Sequence, residues 1–485
     1  MITIRKFNDV HLKIDCDAST AYELNEYFTF NVPGAKFSPA YKNKLWDGKI
    51  RLFHLMRQTL YVGLLDKVKQ FAADRDYEID YHNPNEFAET EFSLNTAKQY
   101  VDSLRLPHPI RDYQLDAFVH AVRRNRALLV SPTASGKSLI IYCLANYHQQ
   151  QKVLIVVPTI GLVHQLASDF VDYGCSDRLI HKIFSGQEKM TDAPFVITTW
   201  QSVYNLPKTW FDQFGAVIGD EAHQFKAKSL VSIMEKMTAC QYRFGFTGTL
   251  DGTLTNKLVL EGLFGPVEQV TTTSALMEAK TVADLKIKSL VLNYEDEVRQ
   301  HVGKSCRAYK DEIQYIVNNK ARNTFLTNLT CSLNKNTLLL FNYVDHGKYL
   351  YQKIKQQSPE RDVFLVYGMI EGQEREEVRK YAEQNDNVII VASYKTFSTG
   401  VNIPNLHNVI FASPSKSRIR VLQSIGRTLR TSADKQHAVL YDVADDFTWK
   451  SYKNHTIKHF SERIQMYNQE KFEYKIYTIN LKGSV

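Results

Sequence analysis

Two series of short, β-branched apolar runs, each alternating with segments of helical periodicity, constrain this chain more than any other feature. A run that is apolar at every position must be covered on both faces, which is the condition of a strand in a parallel sheet flanked by helices. The first series occupies residues 127–130, 153–157, 195–199, 216–218 and 242–246; the second occupies 337–341, 363–366, 388–392, 409–412 and 438–443. The sequence therefore predicts an α/β protein with two parallel-sheet lobes in tandem, joined near residues 275–290 and opening a cleft between them. Ahead of the lobes, residues 1–80 read as a small α+β domain: a strand, a helix from about Ser19, a hairpin turning at Trp46-Asp47-Gly48, and a helix ending near Asp74. The predicted division continues with a linker at 81–107, a first lobe at 108–284, a second lobe at 285–450 and a helical C-terminal extension at 451–485.

Length agrees with this organisation, because 485 residues exceed what one hydrophobic core accommodates. An apolar share of 44% and a charged share of 23% are those of ordinary globular protein and exclude a disordered or fibrous class. Lys and Arg outnumber Asp and Glu by 60 to 52, a mild excess that suits a polyanionic partner. The six cysteines, Cys16, Cys143, Cys175, Cys240, Cys306 and Cys331, show no CxxC spacing, which argues against a zinc site or disulfide framework and fits a reducing compartment. The start, MITIRKFNDVHLKID, lacks an apolar signal region, and no run approaches the roughly 18 apolar residues of a membrane span, so neither export nor membrane insertion is expected.

The chemistry concentrates where apolar strands end. The run at 127–130 passes through Ser131-Pro132-Thr133-Ala134-Ser135-Gly136-Lys137-Ser138 into a helical pattern. A turn of small residues between strand and helix aims backbone N–H groups at phosphate oxygens, with Lys137 as a point charge and the Ser138 hydroxyl as a Mg²⁺ ligand. Taken alone, the GKS triplet also suits an ordinary strand-to-helix turn. The run at 216–218 ends in Asp220-Glu221-Ala222-His223. A carboxylate at the carboxyl end of a neighbouring strand can hold the Mg²⁺ shell, and the adjacent Glu221 can orient and deprotonate an attacking water.

With the remaining motifs in order, residues 108–445 resemble the superfamily-2 helicases of DEAH type, which implies RecA-like lobes, ATP as cofactor with Mg²⁺, and a nucleic-acid partner. Arg111-Asp112-Tyr113-Gln114 resembles that family's adenine-reading motif, and Thr133 to Ser138 its phosphate loop. Pro158-Thr159 with Gln165, and Thr198-Thr199-Trp200-Gln201-Ser202, resemble its first-lobe contacts to the nucleic-acid backbone. Thr247-Gly248-Thr249, with His223, resembles the elements that couple hydrolysis to lobe movement. In the second lobe Ser393 to Pro404, including Thr396 and Gly400, resembles the fifth motif, with Asn402 in place of the more usual Asp. Gln423-Ser424-Ile425-Gly426-Arg427-Thr428-Leu429-Arg430 resembles the sixth, in which Arg427 and Arg430, three apart on one helical face, would act as arginine fingers across the cleft.

Within the superfamily the whole chain is most similar to phage UvsW-type helicases. That resemblance implies remodelling of branched DNA: forks, Holliday junctions and R-loops, in replication, recombination and repair, in the cytoplasm of a phage-infected host and by a monomer. A duplex translocase, an RNA helicase and a non-enzymatic annealing protein are the competing readings. The N-terminal domain places Lys36, Phe37, Tyr41, Lys42, Lys44, Trp46, Lys49 and Arg51 close together, which suits either a duplex-binding surface or a small core of Phe37 and Trp46 ringed by solvated lysines.

Overall fold

The computed structural model describes residues 1–225, 228–250, 253–370, 372–398, 403, 405–413, 417, 421–422, 424–426 and 437–481. The chain forms two compact units, one from Met1–Pro132 and Gly136–Thr271, the other from Thr272–Val485 with Thr133–Ser135.

The first unit begins with a four-stranded sheet in the order β5-β2-β1-β6, where β1 is Ile2–Lys6, β2 His11–Asp15, β5 Thr59–Tyr61 and β6 Ile79–Tyr81. Alternation along β1 and β2 puts Ile2, Ile4, Leu12 and Ile14 on one buried face, against Leu24, Val68 and Phe71 of the helices Ala18–Tyr27 and Leu65–Ala73. The expected tight hairpin at Trp46-Asp47-Gly48 is not one. The paired strands are β3, Thr29–Asn31, and β4, Lys49–Arg51, and residues 32–48 between them make an excursion with a short helix, Pro39–Lys42. Gly48, at φ 78°, takes the left-handed conformation that Asp-Gly supplies, but it closes this excursion rather than a two-residue turn.

This small sheet is docked on the first lobe by backbone and side-chain hydrogen bonds. Asp9 N–H donates to the Thr238 carbonyl at 3.0 Å, the Arg126 guanidinium donates to the Asp9 carbonyl, and Tyr61 OH donates to Glu235 at 2.7 Å. A Cβ on Gly63 would lie 1.9 Å from the Glu261 carbonyl oxygen, so only glycine permits that approach.

The first lobe is a seven-stranded, all-parallel sheet in the order β13-β7-β12-β11-β8-β10-β9. Its strands are β7 Arg126–Val130, β8 Val153–Val157, β9 Ile180–Ile183, β10 Phe195–Thr199, β11 Ala216–Asp220, β12 Tyr242–Thr247 and β13 Val267–Gln269. The five expected strands lie at its centre, and the edges β9 and β13 are additions. The fully buried Arg243 donates to the carbonyls of Cys240, Met234 and Met237, closing the end of the helix Lys228–Lys236.

The second unit holds another all-parallel, seven-stranded sheet, in the order β16-β17-β15-β18-β19-β14-β20. Here β14 is Asp284–Asn293, β15 Thr337–Phe341, β16 Val363–Val366, β17 Ile389–Ser393, β18 Asn408–Phe411, β19 His437–Asp446 and β20 Glu473–Asn480. The chain is thus an α/β protein with two tandem RecA-like parallel-sheet lobes and a small N-terminal α+β domain. The expected C-terminal helix is present as His455–Gln469, and the segment after it is strand β20, paired with β14 along eight residues. Region 275–290, expected to join the lobes, contains the start of β14. Glu312 builds the C-terminal helix into this unit. Fully buried, it accepts hydrogen bonds from His455 N–H, Thr456 N–H, Thr456 OH and the Asn454 amide, all between 2.7 and 2.9 Å. No helix among the described residues is long and apolar enough to cross a membrane.

Candidate active site and nucleic-acid face

The carboxyl ends of β7, β11 and β12 gather the residues expected to handle phosphate. Strand β7 feeds the loop Ser131–Gly136, and the helix Lys137–Tyr147 starts directly behind it. Gly136 has φ 77°, which favours glycine, and a Cβ there would sit 2.2 Å from Gln114 Nε2 and displace that side-chain end. Ala134 also lies in the left-handed region, at φ 69°, between Thr133 and Ser135. Ser131, where such loops usually start with glycine, is not among the residues with positive φ, and its N–H donates to the Thr247 carbonyl at 2.8 Å. A side chain at that position therefore carries no backbone strain.

Lys137 Nζ lies 2.5 Å from Asp220 Oδ1 and 3.4 Å from Glu221 Oε1. Burial alone would lower the lysine's pKa, but the Asp220 and Glu221 carboxylates outweigh it and hold the ammonium above its ordinary value. Burial likewise pushes Asp220 upward, and the Lys137 charge opposes that push. Glu221 sits at φ 52°, a conformation that costs about 1–2 kcal/mol for a residue with a Cβ. Its N–H donates to Asp220 Oδ1 at 2.8 Å, which holds the strained turn and sends the two carboxylates of adjacent residues to the same site.

His223 Nδ1 lies 3.4 Å from Glu221 Oε2 and 3.1 Å from Thr247 Oγ1, and the Thr247 hydroxyl donates to the Thr249 carbonyl at 2.8 Å. The residues expected to couple hydrolysis to movement are thus joined by hydrogen bonds between the ends of β11 and β12. Gln114 is buried; its Oε1 accepts from Arg111 N–H at 2.9 Å and its Nε2 reaches the Gly136 carbonyl at 3.4 Å. Arg111 Nη1 donates to Tyr113 OH at 2.8 Å. Reading a base edge with Gln114 would exchange one of these bonds for the ligand.

The Ser138 hydroxyl and the Asp220 carboxylate are hard oxygen donors of the kind Mg²⁺ takes alongside water and phosphate oxygens. The ammonium of Lys137 on Asp220 is itself a cation at that carboxylate, so the donor set fits the ion. Ser138 Oγ also lies 2.9 Å from Tyr173 OH, a partner that sequence reasoning missed, because nothing in local spacing links residues so far apart in the chain.

The expected backbone contacts of the first lobe collect beside the ends of β8, β9 and β10. Pro158, Thr159, Ile160, Thr199, Gln201 and Ser202 line an open cavity of about 560 Å³. Thr159 caps the helix Ile160–Asp172, its hydroxyl accepting from Leu162 N–H at 3.3 Å, and Gln165 is exposed on that helix. Trp200 is half-buried against Tyr204. The same cavity is closed by Phe184, Ser185, Gly186 and Lys189, which the sequence reading omitted because it overlooked the four-residue edge strand that delivers them.

In the second lobe Thr396 is buried and shares a 2.8 Å hydrogen bond with Ser393 Oγ, so it is placed inside the turn after β17 and not on an open surface. Gly400, Asn402, Gln423, Arg427 and Arg430 lie outside the described residues. In the N-terminal domain Lys42, Lys44 and Lys49 are exposed, and Phe37 is 71% exposed. Phe37 is therefore surface, not core. Trp46 is half-buried, with its indole N–H donating to the Lys49 carbonyl at 2.8 Å.

Comparison with known proteins agrees along the full length. Residues 2–82 match the family model described as DNA helicase UvsW, N-terminal; residues 107–252 match the type III restriction enzyme, res subunit; and 321–432 match the helicase conserved C-terminal domain. The chain is 38% identical to the ATP-dependent DNA helicase uvsW of Enterobacteria phage T4, over 97% of this chain and 98% of that protein. It is 24% identical to the DNA 3'-5' translocase XPB2 of Sulfurisphaera tokodaii, over 73% and 86% of the two. Among solved structures, the crystal structure of T4 UvsW matches with a TM-score of 0.51 at 34% identity, covering 99% of each chain.

Proposed function

The chain belongs to the UvsW-type DNA helicases of superfamily 2, ATP-dependent enzymes, and from that membership we propose that it remodels branched DNA: it regresses forks, drives branch migration of Holliday junctions and unwinds R-loops. The observation that carries this reading is the likeness of the entire chain, N-terminal domain included, to a DNA helicase. The exposed lysines and Phe37 of residues 32–48, held on the same unit as Lys137, Asp220 and Glu221, support it. So does energetics: in branch migration each pair broken, at about 1.4 kcal/mol of stacking, is replaced by a similar pair formed, leaving ATP to supply direction.

In the proposed mechanism Gln114 and Arg111 hold the adenine, and the N–H groups of Thr133 to Ser138 take the phosphates. Lys137 leaves Asp220 for the phosphate oxygens, which frees that carboxylate; Asp220 and the Ser138 hydroxyl would hold Mg²⁺, which would neutralise charge on those oxygens. Glu221 orients the water and accepts its proton. The second lobe contributes Arg427 and Arg430 to the γ-phosphate, with Gly400 binding the cofactor and Gln423 coupling hydrolysis to movement. Arginine fingers of this kind are worth about 10³ to 10⁵ in rate. His223, Thr247 and Thr249 pass the change at Glu221 to the end of β12. Thr159, Gln165, Trp200, Gln201 and Thr396 serve the nucleic-acid path, Thr396 by holding its turn. We place this work in the host cytoplasm, carried out by a monomer divided at the boundaries expected from the sequence.

The test is ATP hydrolysis by the wild type and by Lys137→Ala, with no nucleic acid, single strand, plain duplex, four-way junction and RNA–DNA hybrid. Strongest stimulation by the junction and the hybrid, lost in the variant, is expected. Equal stimulation by plain duplex would indicate a translocase, stimulation by RNA alone an RNA helicase, and absence of hydrolysis an annealing protein.

A further inference from the structure

We propose that Tyr173 is a positioning residue for the Ser138 hydroxyl, and that the helix Ile160–Asp172 carries the state of the nucleic-acid face to it. The proposal rests on the reading of Ser138 as the metal-holding hydroxyl of the phosphate loop.

The helix has 13 residues, so it spans about 20 Å at 1.5 Å per residue. Its first turn, with Thr159 and Ile160, forms part of the 560 Å³ cavity on the nucleic-acid face. Its last turn is locked: Tyr173 N–H donates to Asp169 O at 3.0 Å, Gly174 N–H to Val171 O at 2.9 Å, and Cys175 N–H to Phe170 O at 2.9 Å. Gly174, at φ 99°, ends the helix immediately beyond Tyr173. Tyr173 therefore moves with the helix.

Its ring is aimed by packing. It lies 5.5 Å from Tyr142, which meets Phe170 edge-on at 5.1 Å, and Tyr142 belongs to the helix Lys137–Tyr147 that opens with Lys137 and Ser138. This arrangement delivers the phenol oxygen to 2.9 Å from Ser138 Oγ. A serine hydroxyl has one proton and two lone pairs. When the proton is donated to Tyr173, a lone pair is turned outward for a cation, and the rotamer that achieves this is selected from three. A shift of the helix at its Thr159 end would displace the acceptor at its Tyr173 end.

The test uses the full chain and a fluorescent ADP analogue, titrated with Mg²⁺ in the presence and absence of a plain duplex. In the wild type, duplex is expected to lower the Mg²⁺ concentration at half-maximal signal. Tyr173→Phe, which keeps the ring, should raise that midpoint by roughly three- to tenfold, the range of one hydrogen bond, and abolish the duplex effect. Tyr142→Phe, which removes a hydroxyl from the same layer, should leave the midpoint alone. Ser138→Ala and the double variant should share one midpoint, which ties the effect to the hydroxyl pair even where Tyr173→Phe loses some stability. An unchanged midpoint in Tyr173→Phe overturns the proposal, and a raised midpoint that still responds to duplex overturns the helix as the route. Undiminished Mg²⁺-dependent binding in Lys137→Ala would instead overturn the phosphate-loop reading beneath it.

Discussion

In the first lobe the charged cluster at the strand ends stays open to its surroundings: Lys137, with a side chain 21% exposed, divides its ammonium between Asp220 and Glu221. In the second lobe Arg322 and Asp445 pair at 2.7 Å with both side chains fully buried, and Arg463 and Asp442 pair at 2.8 Å nearly so. The two clusters differ in what surrounds them. Arg322 also donates to the Ala412 carbonyl and Asp445 accepts from Tyr294 OH, so that pair is fixed by partners from different elements, while Asp442 accepts from both Arg463 and Tyr467 of the helix His455–Gln469. Among the described residues Lys137 pairs only with carboxylates, which a cation can replace. A pair that water and ligand reach can exchange partners during a cycle, whereas a sealed pair can only be kept or lost.

Breaking the sealed pair should have the largest effect on stability. Asp445→Ala leaves Arg322 and Tyr294 without their acceptor and is expected to cost about 3–5 kcal/mol in denaturant unfolding, while joint replacement of Arg322 and Asp445 by Met and Leu recovers most of it. Lys137→Ala should abolish hydrolysis yet cost no more than about 1–2 kcal/mol. Comparable losses for the two single variants would erase the distinction.

Two buried histidines sharpen the comparison through pH. His148 is wedged against Tyr242 and Phe244 in the first lobe, and burial lowers its pKa to about 4; His346 in the second lobe is lowered by burial, and further by Arg322, to about 3. Each is neutral when folded and takes up a proton on unfolding below about 6.5, so each contribution is intact above that pH and is lost as pH falls towards the folded value. For His148 the loss is at most about 3 kcal/mol. His148→Phe should flatten unfolding free energy against pH between 6.5 and 4, because it removes the titrating ring, and among the described residues His148 Nε2 has no hydrogen-bond partner to lose. His346→Phe should destabilise at every pH by stranding Asn323, which lies 2.8 Å from the ring. A wild type whose stability is level across this range would contradict both.

The smallest stability effect is expected from Lys42, Lys44 and Lys49 changed together to Ala. All three are exposed, so unfolding should shift by no more than about 0.5 kcal/mol. Junction binding should nevertheless weaken, with a shallower salt dependence. Unchanged binding would remove the N-terminal surface from the proposed DNA path.

What was legible in the sequence follows from range. Uninterrupted apolar runs marked five adjacent strands of each sheet, the central five of the first and β15 to β19 of the second, because a strand covered on both faces needs them. The other strands were not legible: β9 and β13 are short, β14 mixes exposed and buried positions, and β20 joins β14 across almost two hundred residues with a side-chain pattern that is largely exposed. The Asp-Gly signal at 47–48 was read as part of a hairpin turn at 46–48, and it instead closes the longer excursion between β3 and β4, since turn chemistry does not specify which strands will pair. Glu221 and Lys137 were legible through strand ends and spacing. Tyr173 and Phe184 were not, because each reaches its site by the packing of one element on another.

The sequence by itself determined the two lobes, the small domain before them and the residues proposed to bind phosphate, because strand burial, loop conformation and phosphate chemistry each demand particular residue types at near-neighbour positions. Tertiary structure alone decided that the small domain seats on the first lobe through Gly63 and Asp9, that the C-terminal strand completes the second sheet, and that Tyr173 reaches Ser138. Those outcomes depend on which surfaces meet when elements pack, and packing is governed by shape and partner satisfaction over distances that no local pattern records.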